Sequence, residues 1–323
     1  MTNSQFFSNC TAGSIREAAA ALKAGHLVAF PTETVYGLGA DARNPQAVKR
    51  IYEVKGRPSD HPLIVHISSI NQLEKWAREI PDYAIDLARA FWPGPMTLIL
   101  KRTDIAKNFI TGGQDTVGLR VPSDPIALAL IQEFEKISDS AIAAPSANRF
   151  GQVSPTSSAD VQEELGGYLA GSDLVLDGGR SVIGIESTII DCSRSGPIIL
   201  RPGFITKEEI ESTLQGIDVV QVGTTDIKFS GSFENHYAPK CKVIFYEFPI
   251  DGAGFLALDV IETPPGMVRL ASPATDKEYA HALYSVFRTA DHHNLDVLAV
   301  IPLEGEGLAV AIMEKIEKAS LGR

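Results

Sequence analysis

Polar side chains follow a short apolar segment near the start of the chain, at a point where a strand of a sheet would end. Residues 27–30 are apolar, and residues 31–39 then carry Thr32, Thr34, Tyr36 and two glycines. Hydroxyl groups and glycines at such a point suit a ligand that approaches the backbone closely. A capped turn without a ligand would have the same composition, so these residues alone leave both interpretations open.

Several cationic side chains lie within or at the ends of predicted elements. Lys55 and Arg57 close a predicted helix, Arg201 follows a predicted strand, and Arg120 lies inside the apolar run 116–121. Arginine offers a planar fork for phosphate oxygens and lysine a compact charge, so Lys55 and Arg57 fit a phosphate clamp. Cations at a helix C-terminus also simply complement its dipole. Because a buried arginine must be paired, Arg120 needs an anion, either an internal carboxylate or that of a substrate.

Small polar side chains follow or begin two further apolar segments. Ser146 and Asn148 come after residues 141–144, and Ser187 begins the apolar segment 187–191. Their hydroxyl and amide groups would project from a sheet edge, as ligand-fixing groups do in an apolar pocket. Ordinary turn residues are the alternative for Ser146 and Asn148.

The common nucleotide, metal and nucleophile motifs are missing from the sequence. There is no G-x-x-x-x-G-K-[ST] run, and Pro45 delays the helix that a dinucleotide fingerprint at Gly37 and Gly39 would require, so we expect a glycine turn there. His61 and His66 have no third ligand at metal-site spacing, so no metal site is predicted. No serine elbow or other nucleophile–base pair stands out.

The hydrophobic pattern predicts two α/β units that would position these residues. In the first, many short strands alternate with helices, which favours a twisted mixed sheet. Its predicted strands cover residues 27–30, 62–67, 96–100, 116–121, 141–144, 174–176, 187–191 and 197–200, and its helices 14–23, 45–53, 71–80, 82–91, 125–135, 158–165 and 206–214. The second unit has predicted strands at 243–246, 255–258, 268–270 and 297–301 and helices at 277–290 and from 309. We therefore expect a catalytic domain over 1–212, a linker or lid over 213–241 and a small Rossmann-like α/β domain over 242–323.

Length and charge restrict the function classes. The 323 residues are enough for about two domains. A net charge of −11 disfavours stable binding to nucleic acid or to an anionic membrane, because phosphate contacts supply most of such affinity. Three cysteines without a C-x-x-C pair argue against a disulfide framework or a zinc knuckle. No apolar run approaches the ~18 residues of a membrane helix, and we expect a cytoplasmic protein.

Several of these motifs occur together in an order that resembles one family. They are residues 31–38, Lys55-x-Arg57-Pro58, Ser146-x-Asn148, and residues 186–189 followed by 200–203. In this combination the chain resembles the YrdC-like threonylcarbamoyl-AMP synthases over about residues 14–212. The tail, with His236-Tyr237-Ala238-Pro239 and a small α/β unit, is similar to the two-domain form of that family.

The resemblance implies a YrdC-like fold, in which a twisted mixed sheet carries a concave, positively lined cavity. It implies that L-threonine is held by Thr34, His66, Arg120, Ser187 and the backbone near Ala144. It implies that ATP or the adenylate is held by Arg57, His61, Thr116, Ser146, Ser154, Arg201 and Tyr237, with Lys55 and Asn148 beside the phosphates. Among these residues, Lys55 and Arg57 would be the catalytic cations.

The resemblance also implies a reaction and its partners. ATP with Mg²⁺, L-threonine and bicarbonate would give threonylcarbamoyl-AMP and pyrophosphate. The product would pass to a tRNA threonylcarbamoyl transferase complex. Catalysis would come from positioning the reactants and stabilising charge on the phosphates. A double-stranded RNA-binding module is the alternative, although the net negative charge disfavours it; a related carbamoyl transferase of hydrogenase maturation would need cysteine pairs that the chain lacks.

Overall fold

The computed structural model describes residues 6–7, 11–221, 227–229, 231 and 236–322. The strands of the larger unit are β1 (Phe6–Phe7), β2 (Val28–Phe30), β3 (Gly37–Asp41), β4 (Ile64–His66), β5 (Met96–Lys101), β6 (Thr116–Arg120), β7 (Ile142–Ala143), β8 (Leu174–Leu176), β9 (Thr188–Asp191), β10 (Ile198–Arg201) and β11 (Val220–Gln221). Its helices are α1 (Ala12–Lys23), α2 (Pro45–Lys55), α3 (Leu73–Trp76), α4 (Asp82–Phe91), α5 (Asn108–Thr111), α6 (Pro125–Ser138), α7 (Ser158–Leu165) and α8 (Lys207–Thr213), with a 3₁₀ helix at Ile70–Gln72.

The larger sheet contains strands that run in both directions, as predicted. Its order is β1-β8-β2-β3-β7-β4-β6-β5-β9-β10-β11. β4 is parallel to β6 but antiparallel to β7. Because β4 and β6 are parallel and in register, His66 pairs with Arg120 at their carboxyl ends. Two of the predicted site residues therefore lie side by side at the carboxyl ends of two neighbouring strands.

Side-chain caps fix where several helices begin. The Asn44 side chain accepts hydrogen bonds from the first backbone N–H groups of α2, and Gly56 ends that helix with a left-handed φ of 63°. Helix α8 begins with a capping box, in which the Thr206 and Glu209 side chains each accept a hydrogen bond from the other's backbone N–H. Helix α1, predicted to begin at residue 14, begins at Ala12, because Thr11 is its cap; the Thr11 backbone N–H in turn donates to Ser14 Oγ in the first turn. The Asn44 and Gly56 caps thus fix both ends of α2, and Lys55 is its last residue.

The predicted helix over 71–80 is wrong in its second half. The 3₁₀ helix ends at Gln72 and leads into α3, which ends at Trp76; the Trp76 side chain is buried, and Ala77 then forms a bridge with Arg102. The helix continues as far as Leu73 and Trp76, whose side chains are part of the apolar core, and the next residue pairs as in a strand. Local sequence does not carry that long-range pairing.

The predicted glycine turn at Gly37 and Gly39 is also wrong, because both residues lie in strand β3. β3 pairs with β2 on one side and with β7 on the other. A Cβ atom on Gly39 would lie 2.8 Å from Ile142 Cγ2 and 2.9 Å from Phe30 Cε1. Glycine is needed here for close packing within a sheet and not for a turn conformation.

The smaller unit is a parallel α/β domain, as predicted. Its strands are β12 (Lys242–Phe245), β13 (Gly254–Leu256), β14 (Val268–Ala271) and β15 (Val297–Val300), and its helices are α9 (Asp276–His292) and α10 (Leu308–Ser320). The order is β12-β15-β13-β14, and all its pairs are parallel. A single apolar cluster joins Val35, Val153 and Ile185 of the larger unit to Tyr284 of α9. The two units therefore share a core.

Only part of the predicted linker over 213–241 falls on described residues. Within it, β11 pairs with β10 and so extends the larger sheet. Residues 222–226, 230 and 232–235 lie outside the described part of the chain. The lid role and the domain limits at 212 and 242 stay predictions. In the part of the chain that the structure describes, no helix is long and apolar enough to cross a membrane.

Candidate active site

A cavity with an empty volume of about 460 Å³ lies against strands β4 and β6 and the segments that follow β2 and β7. Eight of the predicted site residues line it: Thr34, His66, Arg120, Ala144, Ser146, Ser187, Arg201 and Tyr237. All five residues predicted to hold threonine are among them. The sheet thus brings together positions that are up to 203 residues apart in the sequence, Thr34 and Tyr237.

Arg120 is bound to an internal carboxylate and still faces the cavity. Its Nη2 donates to Glu33 Oε1 at 2.7 Å and to Thr34 Oγ1 at 2.9 Å, and the ion pair is almost fully buried. Among the described residues, the buried Arg120 Nε and Glu33 Oε2 have no hydrogen-bond partner. The internal carboxylate that the sequence left open therefore exists, and it uses only one edge of the guanidinium. A ligand carboxylate can use the donors that remain.

His66 lies beside Arg120 and stays neutral at physiological pH. Burial and the neighbouring Arg120 charge lower the pKa of His66 to about 3. Its ring meets Phe30 edge to face, with 6.0 Å between the ring centroids. A neutral imidazole adds no positive charge to this end of the cavity, so it can lie next to a substrate ammonium group without repulsion.

Arg201 holds the loop that carries Ser187. Its Nε and Nη2 donate to the Ser187 carbonyl oxygen at 3.0 and 2.9 Å, and Nη2 also lies 3.0 Å from Ser187 Oγ. On its other side, Ser187 Oγ is 2.8 Å from Thr97 Oγ1. Arg201 is 3 % exposed as a residue and lines the cavity. Arg201 thus combines a positive charge with control of the Ser187 position.

Lys55 is a buried support for the loop that carries Ser146 and Asn148. Its Nζ donates to the Ser146 carbonyl at 2.7 Å and to the Asn148 carbonyl at 2.5 Å. Burial, and secondarily the Arg57 charge, lower the pKa of Lys55 well below its usual value. Lys55 and Asn148 do not line the cavity. They shape its wall from behind.

Arg57 and His61 lie next to each other behind the same wall. Burial lowers the pKa of Arg57 to about 10, and Arg57 Nη2 donates to the Pro62 carbonyl at 3.0 Å. Within the described chain, Arg57 Nε is buried and has no hydrogen-bond partner. Burial and the Arg57 charge also lower the pKa of His61. A cation with an unused donor lies here, outside the lining of the first cavity.

Thr116 and Ser154 also lie apart from the first cavity. Thr116 lines a second cavity of about 310 Å³, which shares Ile64 with the first and therefore adjoins it. Ser154 is fully buried and donates through Oγ to Glu186 Oε1 at 2.6 Å. The predicted nucleotide residues are therefore divided among the first cavity, the adjoining second cavity and buried positions that line neither.

His236 and Tyr237 close the first cavity from the side of the smaller domain. Both are buried, and Tyr237 has a left-handed φ of 63°. Burial lowers the pKa of His236 well below its usual value, and the charges of Lys55, Arg57, Lys318 and Arg201 lower it further. Four cations around one neutral imidazole make this side of the cavity attractive to an anion.

Comparisons with known proteins agree with this geometry. The Sua5–YciO–YrdC family model, described as Telomere recombination, matches residues 20–203, and the model described as Threonylcarbamoyl-AMP synthase, C-terminal domain, matches residues 205–320. The chain belongs to the Sua5–YciO–YrdC family. It is 42% identical to the threonylcarbamoyl-AMP synthase of Pyrococcus abyssi over 95% of this chain and 94% of that protein. It is 40% identical to the Bacillus subtilis protein of the same name, over 96% and 93% of the two chains.

Two solved structures are similar to this chain over nearly its whole length. The crystal structure of Pyrococcus abyssi Sua5 complexed with L-threonine matches with a TM-score of 0.84 and 40% identity, over 97% of this chain and 96% of that one. A variant of the same protein, in which a histidine and a tyrosine are replaced by alanine, matches with a TM-score of 0.86 and 38% identity over 99% and 96%. The YrdC-like two-domain fold is confirmed.

Eight residues that line the cavity were not among those assigned to threonine or ATP, although Thr32, Tyr36 and Gly37 belong to the segment that the sequence indicated for ligand contact. The eight are Thr32, Val35, Tyr36, Gly37, Ile64, Pro145, Glu186 and His236. Most lie next to a predicted site residue, and Glu186 and His236 stand inside motifs that carried the family resemblance. Their position in those motifs was the available signal, but only the fold shows which motif residues face the cavity.

Proposed function

We propose that this chain joins ATP, L-threonine and bicarbonate into threonylcarbamoyl-AMP, with release of pyrophosphate, as a step of tRNA modification. The observation that carries this proposal is the pairing of His66 with Arg120 at the ends of β4 and β6, in the same cavity as Arg201. The end of the cavity with His66 and Arg120 suits an amino acid. The side around His236, which the charges of Lys55, Arg57, Arg201 and Lys318 surround, forms a cationic wall that suits a polyphosphate. The family membership supports the same reaction.

The amino-acid end would hold threonine through complementary groups. The free donors of Arg120 would take the substrate carboxylate, and the neutral His66 would tolerate the ammonium group. Thr34 and Ser187 offer hydroxyl groups at 0 and 1 % exposure for the substrate hydroxyl. Both hydroxyls already have protein partners, and each can form a further hydrogen bond with a substrate hydroxyl, which favours threonine over valine.

The nucleotide would lie along the cationic wall. Arg57 has an unused buried donor, and Arg201 faces the cavity. Charged hydrogen bonds from such groups hold phosphate oxygens strongly. Mg²⁺ would arrive as part of the substrate, because phosphate oxygens and water are the ligands it prefers. Among the described residues, no group of three or more His, Cys, Asp or Glu side chains could hold a metal ion.

The chemistry then needs two condensations and no covalent enzyme intermediate. The threonine amine nitrogen attacks the carbon of bicarbonate or CO₂, loses a proton and becomes a carbamate; bicarbonate releases water in this step. A carbamate oxygen next attacks the α-phosphorus of ATP, the bond from that phosphorus to the bridging oxygen breaks, and pyrophosphate leaves. Arg57 and Arg201 would stabilise the charge that collects on the phosphates. Catalysis rests on holding two anions together.

The product is a mixed anhydride that water destroys, so a consuming enzyme must accept it soon after release. We propose a tRNA threonylcarbamoyl transferase complex as that acceptor and the cytoplasm, where ATP and tRNA occur together, as the location. The buried cavity wall would exclude water from the carbamate while it forms.

Pyrophosphate release by the purified chain tests the function. Pyrophosphate should appear only when ATP, threonine and bicarbonate are all present, and label from isotopic bicarbonate should appear in the nucleotide product. Replacing threonine with valine is the matched control and should abolish most of the signal. Pyrophosphate release that is indifferent to threonine or bicarbonate would refute the proposal.

A further inference from the structure

One face of helix α9, in the smaller domain, contacts the larger domain. His281, Tyr284, Arg288 and His292 recur every three or four residues, so they share that face. Their contacts are His281 Nδ1 with the Val182 carbonyl at 3.1 Å, Tyr284 with Glu186, Arg288 Nη2 with the Val153 carbonyl at 2.6 Å, and His292 with Glu163. The helix thus reaches two segments that end in site residues, 153–154 and 182–187.

Tyr284 makes the contact that leads into the cavity. Its hydroxyl donates to Glu186 Oε2 at 2.6 Å, and Ser154 Oγ donates to Glu186 Oε1 at 2.6 Å. Tyr284 and Ser154 are both fully buried, and Glu186 is 6 % exposed and lines the cavity. One carboxylate therefore takes a donor from each domain, and each donor occupies a different oxygen.

The surrounding packing keeps Tyr284 in this geometry. Gly184 has a left-handed φ of 87°, and a Cβ atom there would lie 2.7 Å from the Ala280 carbonyl oxygen, so the loop before Glu186 lies directly on α9. The Tyr284 ring stacks on Tyr237, with 5.5 Å between the ring centroids. Burial and the Glu186 carboxylate raise the pKa of Tyr284 well above its usual value, so the phenol stays a donor.

The Glu186 carboxylate has an obvious competing interaction. It lines the same cavity as Arg201, and the buried Lys315 is close enough to interact with it electrostatically. Two hydroxyl donors satisfy the carboxylate without using those cations. If one donor is lost, the carboxylate must find a replacement, and the nearby cations are the strongest candidates.

We propose that Tyr284 is a positioning residue for nucleotide binding, which acts through Glu186 and Ser154. It keeps the carboxylate turned away from the cavity cations and holds the Ser154 hydroxyl in place. Ser187, in contrast, is held by Thr97 and Arg201 independently of Tyr284. The inference rests on the proposed synthase function, and it gives the smaller domain a specific task in it.

Tyr284→Phe tests the inference, because it keeps the stacked ring and removes only the hydroxyl. The KM for ATP should rise about tenfold, the lower end for losing a hydrogen bond to a charged group. The KM for threonine should stay unchanged. In a double-mutant cycle, Ser154→Ala should have a much smaller effect in the Tyr284→Phe background than in the native chain, since both changes break one network.

Tyr279→Phe is the matched control on the same helix. Tyr279 is also fully buried, but its hydroxyl lies 3.4 Å from the Ile301 carbonyl inside the smaller domain. Its removal should leave both KM values unchanged. The inference is overturned if Tyr284→Phe raises both KM values equally, or if it only lowers thermal stability as Tyr279→Phe does. It is also overturned if the two effects in the cycle are additive.

The failure of this inference is distinct from failure of the proposed function. If the native chain makes threonylcarbamoyl-AMP and Tyr284→Phe has native KM values, only the role of Tyr284 is wrong. If the native chain releases no threonine-dependent pyrophosphate, ATP binding by calorimetry still compares Tyr284→Phe with Tyr279→Phe. Equal ATP affinity in these two variants overturns the inference in that case as well.

Discussion

Replacing Arg120 with lysine separates the two roles that the structure gives to this side chain. Arg120 pairs with Glu33 through Nη2, while its buried Nε has no hydrogen-bond partner among the described residues. Lysine keeps the positive charge but presents a single point of contact, so it can satisfy Glu33 or a substrate carboxylate and not both in the arginine geometry. The loss is at least one charge-assisted hydrogen bond.

The expected size follows from that bond. A hydrogen bond to a charged group contributes about 1.5–3 kcal/mol, and about 1.4 kcal/mol corresponds to a factor of ten. The KM for threonine should therefore rise by roughly 10-fold to 150-fold in Arg120→Lys, while the KM for ATP changes by much less. Steady-state pyrophosphate release, with each substrate varied in turn, measures both values.

Arg50→Lys provides the matched control. Arg50 also pairs with a carboxylate, here through two contacts, from Nη1 and Nη2 to Asp173 at 2.9 and 2.7 Å, but it does not line either cavity described above. It should lose stability comparable to Arg120→Lys and keep a native KM for threonine. A native KM for threonine in folded Arg120→Lys would mean that the Glu33 ion pair is purely structural.

Three further outcomes can be checked. Arg57→Ala should weaken ATP binding by about 1.5–3 kcal/mol in calorimetry and leave threonine binding nearly unchanged; unchanged ATP affinity would exclude a phosphate contact. Because the folded pKa of His66 is about 3, below its unfolded value, the unfolded chain binds more protons between pH 3 and 6.5 and stability falls as pH falls through that window. Urea unfolding should show His66→Gln losing about 2 kcal/mol less than the native chain between pH 7 and 5, and equal losses would contradict the buried neutral imidazole. Gly39→Ala should cost about 1–3 kcal/mol in thermal or urea unfolding, because its Cβ meets neighbouring side chains at 2.8 and 2.9 Å, whereas Gly167→Ala, which has no neighbour within 4 Å, should cost little.

Local sequence patterns predicted the limits of a helix or strand correctly where local interactions alone determine them. The strand at Leu174–Leu176 and the helix at Ser158–Leu165 match their predicted limits, because an apolar run and a capped amphipathic period determine them. They were not sufficient for β3, where glycine serves close packing against β2 and β7. They also could not place the two-residue strands β1 and β11, which exist only through their partners β8 and β10.

For the site, too, the sequence identified residues but not how they are arranged. Motifs identified the residues that gather in the cavity, but no pattern separates those that face it from those that support it. Lys55 and Ser154 were predicted beside the nucleotide, yet the structure gives each a buried partner on the protein itself, the carbonyls of residues 146 and 148 for Lys55 and Glu186 for Ser154. The roles of these residues toward ATP stay predictions.

The buried cations around His236 explain why this side of the cavity suits anions. Removing Arg57 and Lys55 from water is costly, and the depressed pKa of each reports that cost. His236, which the same cations surround, stays neutral and so offers them no compensation. In the proposed function, a triphosphate would supply the missing negative charge, and its binding would recover free energy that was lost when folding buried the cations. The same charges would then stabilise the pyrophosphate as it separates, so the groups proposed to bind ATP would also stabilise its cleavage.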